Sequence, residues 1–208
     1  MIAALLLAGL LQSGDTVRVP RIDSIPGVDD SVTVGRPTVV IRTGQNLASV
    51  WLARRRDTIE LYAAIPDTTV DWSDDFVISL SLGGERRETP GHEEFQWYFR
   101  RVLDSSVVYR GRGGRWEAPR GDPDWRLGSE RAGGGWTVTS GSSPVGWWLR
   151  LRLEPGWLDG QDGGLPAIAF RVYDNGPQGW YAWPEPRAGA QAVSVERTPA
   201  RWVPVTLR

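Results

Sequence analysis

PDTTVDWSDDFVISLSL, from Pro66 to Leu82, is the stretch that decides the fold. Phe76, Ile78, Leu80 and Leu82 alternate with Val77, Ser79 and Ser81, the period-2 pattern of a strand with one apolar and one more polar face. The residues before it, rich in Pro, Asp, Thr and Ser, make a turn-bearing loop that places a large aromatic, Trp72, at the mouth of the strand. Loops held by a rigid sheet carry function disproportionately, so a flat ring at that position is a candidate ligand contact.

The same alternation recurs on both sides. Upstream, PTVVIRT (Pro37 to Thr43) is β-branched, and SVWLAR (Ser49 to Arg54) and TIELYAAI (Thr58 to Ile65) flank a short polar turn, which is a hairpin by spacing. A short first strand is expected between Asp15 and Ser31, where Pro20, Pro26 and Gly27 break the apolar pairs. Downstream, EFQWYFRRV (Glu94 to Val102) sends Phe95, Trp97 and Phe99 one way and Gln96, Tyr98 and Arg100 the other. SVVYR (Ser106 to Arg110) is its expected hairpin partner. Gly111 to Gly135, rich in Gly and Arg and carrying Trp116 and Trp125, reads as one long irregular connection. WTVT, WWLRLRL (Trp147 to Leu153), AIAFRVYD (Ala167 to Asp174), the Trp180 to Trp183 segment and Arg201 to Leu207 complete the set, with one helical turn expected at Pro155 to Asp159. Many short strands, frequent turn signals and no helix longer than a turn predict an all-β fold, an antiparallel two-sheet β-sandwich of jelly-roll type.

Composition narrows the function classes. A chain of 208 residues fits one domain with a substantial core. The formal net charge is −1, and that near-neutral balance argues against a nucleic-acid partner needing a concentrated basic field. With no Cys, disulfides and thiolate chemistry are excluded. IAALLLAGLL, Ile2 to Leu11, has the length of a signal-peptide apolar core and is too short for a membrane span. The expected organisation is therefore a leader over 1–14, export to the periplasm or the exterior, and a single sandwich over 15–208. Twelve Trp against four Phe and five Tyr favour a ring that packs apolar surface while keeping one N–H donor.

The order of motifs resembles the family 9 carbohydrate-binding modules and their wider sandwich superfamily. It runs through Ile25-Pro26-Gly27, TIELYAAIPD ending at Asp67, Trp72, DDFVISL from Asp74, Gln96-Trp97-Tyr98-Phe99, GWWLRLRL from Gly146, AIAFRVYD ending at Asp174, and Trp183. The resemblance covers about Ile25 to Arg208. It implies a β-sandwich, a tendency to bind calcium, and a slot in which two Trp side chains enclose a sugar while polar residues hold its hydroxyls. Trp72 falls within one residue of the first slot Trp. The chain departs from the pattern at Val77 and Arg150, where the family has Glu, and at Tyr98, where it has Arg.

A sugar offers C–H groups on one face and hydroxyls around its rim, so a site needs a flat apolar ring with a few donors and acceptors. Trp72 with Gln96, Tyr98 and Arg100 supplies both, and Trp180, with Asn175 and Gln178 nearby, is the expected opposing wall. The implied partner is an oligo- or polysaccharide. Trp97, Trp147 and Trp183 are expected in the core. Asp71, Asp74 and Asp75 are a cluster that calcium could use, though their spacing is not that of an EF-hand loop and capping of the strand start explains them more cheaply. His92 is the single His and lacks the two-His spacing of a zinc site. For hydrolysis, Glu93, Glu94, Glu117 and Asp124 exist but nothing in the sequence pairs them, and no nucleophile or nucleotide-binding motif occurs. The alternative to sugar binding is an envelope or protein-interaction sandwich that has lost the slot.

Overall fold

The structure, a computed structural model, describes residues 16–19, 37–44, 46–55, 58–72, 74–82, 87–118, 136–153, 167–175 and 177–207. The leader, Asp124, Trp125 and the helical turn expected at Pro155 to Asp159 lie outside the described residues.

Among the described residues thirteen strands follow one another: β1 (Val17–Val19), β2 (Val39–Thr43), β3 (Asn46–Arg55), β4 (Thr58–Ile65), β5 (Asp75–Ser81), β6 (Glu94–Arg100), β7 (Ser105–Arg112), β8 (Arg115–Glu117), β9 (Trp136–Ser143), β10 (Gly146–Leu153), β11 (Ala167–Asp174), β12 (Gly179–Trp183) and β13 (Val203–Leu207). A helical turn, α1 (Val193–Glu196), precedes β13. The larger sheet runs β1-β13-β11-β5-β6-β7-β8, with β12 sharing an edge of β11 with β13, and the smaller runs β2-β3-β4-β10-β9. Every pairing is antiparallel except β1 with β13. The expected sandwich is what forms.

Strand parity sets the layers. Phe76, Ile78 and Leu80 of β5, Phe95, Trp97 and Phe99 of β6 and Ile168, Phe170 and Val172 of β11 face the smaller sheet's Leu61, Ala63, Trp147, Leu149 and Leu151 across one apolar core. Phe99 stacks on Trp147 at 5.9 Å, and Trp183 meets Phe170 at 5.8 Å. Trp97, Trp147 and Trp183 are therefore core, as their parity or motif position predicts.

One expectation changes. The stretch from Gly111 is not irregular from its start, because β7 runs to Arg112, turns at Gly113 and Gly114, both in the left-handed region, and returns as β8. Trp116 on β8 then reaches the outer face of the larger sheet and stacks on Trp202 at 6.3 Å, with an interplanar angle of 1°. Trp202, Val195, Ala192, Ala167, Ala169 and Ala182 make a second, smaller apolar cluster there, so the segment from Pro184 to Trp202 straps part of the outer face.

Candidate ligand site at the open end of the larger sheet

Toward one end of that outer face β5, β6, β11 and β12 bring together Asp75 and Val77, which are buried, and Tyr98, Arg100, Arg171, Tyr173 and Trp180, which are partly exposed. The register places Asp75 beside Arg100 and Val77 between Tyr98 and Arg171. Trp180 lies across from Tyr173.

The loop before β5 is fixed by its own side chains. Asp67 Oδ1 accepts from Thr69 N at 3.0 Å, Asp71 Oδ1 accepts from Trp72 N, and Asp74 Oδ2 accepts from Asp71 N at 3.2 Å. Arg101 reaches back over it: Nη1 donates to Asp74 Oδ2 at 3.0 Å and to the carbonyls of Asp67 and Thr69, while Nη2 donates to Ser142 Oγ at 3.2 Å. Asn175 Nδ2 donates to Asp67 and Asp74 from the other side. Asp74 is fully buried, and its carboxyl is held above the usual range by that burial, the Arg101 charge only partly opposing it. On this fixed loop Trp72 is 66% exposed and makes no ring contact with another described residue.

Beside the loop, Asp75 gathers two strand neighbours. The Tyr98 hydroxyl donates to it, and Arg100 donates through Nε at 3.0 Å and Nη2 at 3.3 Å. Burial, then the Asp75 carboxylate, pushes the Tyr98 hydroxyl up to about 12, and the same carboxylate raises Arg100. Trp180 lies over the Arg171 guanidinium at 3.9 Å and meets Tyr173 and Tyr98 edge-on at 5.4 and 6.4 Å. Arg171 in turn pairs with Glu196 of α1 at 2.8 Å. Burial lowers Arg171 and raises Glu196, their mutual attraction working against both shifts.

Of the residues singled out in the sequence, Tyr98, Arg100 and Trp180 come together, and Trp72 lies on the loop leading into β5 without a ring contact to any of them. Gln96 does not join them. It is 4% exposed, beneath the strap, and its Nε2 donates to Glu196 Oε2 at 3.1 Å. Its strand parity is as expected, but the partner that covers it lies 100 residues away. Asp75, Arg171 and Glu196 are the residues that sequence reasoning missed as a group; outward parity in AIAFRVYD marks Arg171, and nothing local marks Glu196.

Of the aspartates at the strand start, Asp71 and Asp74 accept from backbone amides of the loop, and Asp75 turns instead to Tyr98 and Arg100. Asp74 and Asp75 are each taken by an arginine, and no three His, Asp or Glu side chains converge among the described residues. His92 is exposed beside Glu93. Glu94 is buried, accepting from Ser81 Oγ at 3.0 Å and from the Gly91 amide, and Glu117 is exposed near Arg112. These carboxylates are spent on separate structural contacts rather than facing each other across a cleft. No helix among the described residues is long and apolar enough to cross a membrane.

No family model matches this sequence, and no curated protein matches it. Among solved structures, the chain is similar to a family 9 carbohydrate-binding module from Caldicellulosiruptor kristjanssonii in complex with glucose, with a TM-score of 0.56 and 13% identity, over 92% of this chain and 95% of that one. It is also similar to a family 9 module from the same organism in complex with cellotriose, with a TM-score of 0.59 and 13% identity, over 93% and 94% of the two chains. At that identity the likeness establishes the architecture alone, the two-sheet fold of these modules.

Proposed function

We propose that the chain is a non-catalytic carbohydrate-binding module that takes a sugar at the open end of the larger sheet. The observation that carries this reading is the exposed Trp72 indole on an Arg101-fixed loop that leads into β5, the strand whose Asp75 holds Tyr98 and Arg100. Trp72 and Trp180 supply apolar faces for pyranose C–H groups, and Tyr98 and Arg100 supply polar contacts to the hydroxyls. Val77 is fully buried at the floor and carries no polar group, so hydroxyl recognition falls to its neighbours. Gln96 acts at one remove, holding the strap through Glu196. The shared fold supports the reading, since the two similar structures are described with glucose and with cellotriose.

Isothermal titration with glucose, cellotriose and a panel of other oligosaccharides tests it. Trp72→Ala and Trp180→Ala are each expected to weaken binding at least tenfold, about 1.4 kcal/mol. No heat with any glycan, or an unchanged affinity in Trp72→Ala, overturns it. Apolar Val77, where the family pattern has Glu, favours the second reading, a protein-interaction sandwich. That reading predicts no glycan binding and a pull-down partner lost in Trp72→Ala. Export belongs to the proposal too: protein recovered outside the cytoplasm is expected to begin near Asp15 on N-terminal sequencing.

A further inference from the structure

The opposite face of the molecule, the outer face of the smaller sheet, carries a feature that the site above does not use. Trp51 of β3 and Tyr62 of β4 are directly paired, with ring centroids 5.5 Å apart, and Tyr62 lies 6.2 Å from Trp148 of β10. The three rings form a row across three strands, and all remain partly exposed. Trp148 lies flat over β9 at Gly141, where an added Cβ would stand 2.5 Å from the indole Cζ2. The backbone there is kept bare for the ring.

What borders the row is chemically specific. On one side stand the small Ser49 and Ala64, in register with Trp148. On the other, Glu60 is 1% exposed and accepts from Arg150 Nε at 3.1 Å and from Arg150 Nη2, so the guanidinium is held beside Tyr62 with its charge cancelled. Burial raises the Tyr62 hydroxyl and keeps it a neutral donor. The pair itself offers an anionic ligand no net positive charge, Arg152 standing beyond it on the same face in register with Glu60, and a purely apolar partner would strand a guanidinium and a phenol. A neutral chain with apolar faces and hydroxylated edges satisfies both.

We propose that this row is a second carbohydrate site, a platform for an extended neutral polysaccharide, in which successive pyranose faces lie on Trp51, Tyr62 and Trp148 and ring hydroxyls accept from Arg150. Successive rings are tilted to one another by 45° and 33°, so the platform is twisted rather than flat. The platform takes polymer, whereas the open end of the larger sheet takes a short sugar, and the two sites stand or fall separately.

Native affinity electrophoresis through hydroxyethyl cellulose and mixed-linkage β-glucan, alongside calorimetry with cellotriose, separates them. Retardation by at least one polymer is expected, and a loss of at least fivefold in Trp148→Ala and in Trp51→Ala, with any cellotriose affinity within twofold of wild type. Gly141→Ala keeps every ring but lifts Trp148, and is expected to reduce retardation in a chain whose melting temperature shows it folded. Trp180→Ala is expected to leave retardation unchanged. Retardation equal to wild type in folded Trp148→Ala and Trp51→Ala, or no retardation of wild type by either polymer, overturns the proposal. So does a dimer that dissociates in Trp148→Ala without any polymer binding, which would make the row a self-association face. Failure of cellotriose to bind while retardation persists removes the first site and leaves this one standing.

Discussion

Tyr98 shows how a residue that is plain in the sequence gains its chemistry from a neighbour. Its outward parity is legible in EFQWYFRRV, but its hydrogen bond to Asp75 follows from the pairing of β5 with β6, which the sequence does not print. Burial and that bond raise its folded pKa to about 12, above the value of about 10 for an unfolded chain. The folded state therefore keeps a proton that the unfolded state has lost, so stability from this group is complete below about pH 10 and drains away as the pH rises through the folded value. Tyr98→Phe is expected to cost about 0.5–1.5 kcal/mol at pH 7, because Asp75 retains Arg100. Urea midpoints measured between pH 9 and 12 are expected to fall less steeply in the variant than in wild type. Parallel slopes would show that Tyr98 ionises as freely folded as unfolded.

At the scale of elements, period-2 patterns declared nearly every strand, and their inward residues, because a sheet that buries one face must alternate. The strap was illegible for the same reason in reverse. Pro184 to Trp202 has no period, and it is held by contacts distant in sequence: Trp202 on Trp116, Trp202 Nε1 donating to the Val195 carbonyl at 2.7 Å, and Glu196 on Arg171 and Gln96. The ion pair also lies directly under Trp180, since Arg171 both stacks on that indole and bonds α1. Glu196→Gln removes the counter-charge of a buried guanidinium but keeps an amide in its place, and because burial already favours the uncharged acid a loss of about 1–3 kcal/mol is expected. Trp180 should loosen with it, weakening sugar binding without any change at the surface. Joint replacement, Arg171→Met with Glu196→Leu, is expected to recover most of the stability and little of the affinity. The pH dependence has a defined sign. Glu196 is raised in the folded state above the unfolded value of about 4.3, so its contribution is present at acid pH and is lost as the pH rises through the folded value. The stability gap between wild type and Glu196→Gln should therefore widen on acidification, and a gap constant from pH 7 to 4 would contradict the burial argument.

The whole molecule is two sheets with an aromatic surface on each outer side, and Arg101 is the side chain that ties the sheets at one end. Trp72 was legible as a candidate because a single large ring in a turn-rich loop stands out. The reason it is held still was not legible, because the clamp comes from a residue just past β6 that read as the strand's own continuation. Arg101 donates to the loop between β4 and β5, to Ser142 of β9 in the smaller sheet, and lies over the core Trp147 ring at 5.7 Å. Its fork addresses several acceptors at once, and its side chain is only 9% exposed. An ammonium carries the same charge but cannot reproduce that fan of donors. Arg101→Lys is therefore expected to lose about 1–3 kcal/mol, from carbonyls and a hydroxyl left without donors. Arg101→Met, which also strands the buried Asp74 carboxylate, is expected to lose about 3–5 kcal/mol. In both, amide exchange over residues 67–74 should accelerate before any change in the central strands, because the clamp joins the loop to the sandwich without forming part of the core. Sugar affinity should fall along with the loop's protection. An Arg101→Lys variant within about 0.5 kcal/mol of wild type, with exchange over 67–74 unaltered, would mean that charge alone holds this end together and that the rigidity of Trp72 has another source.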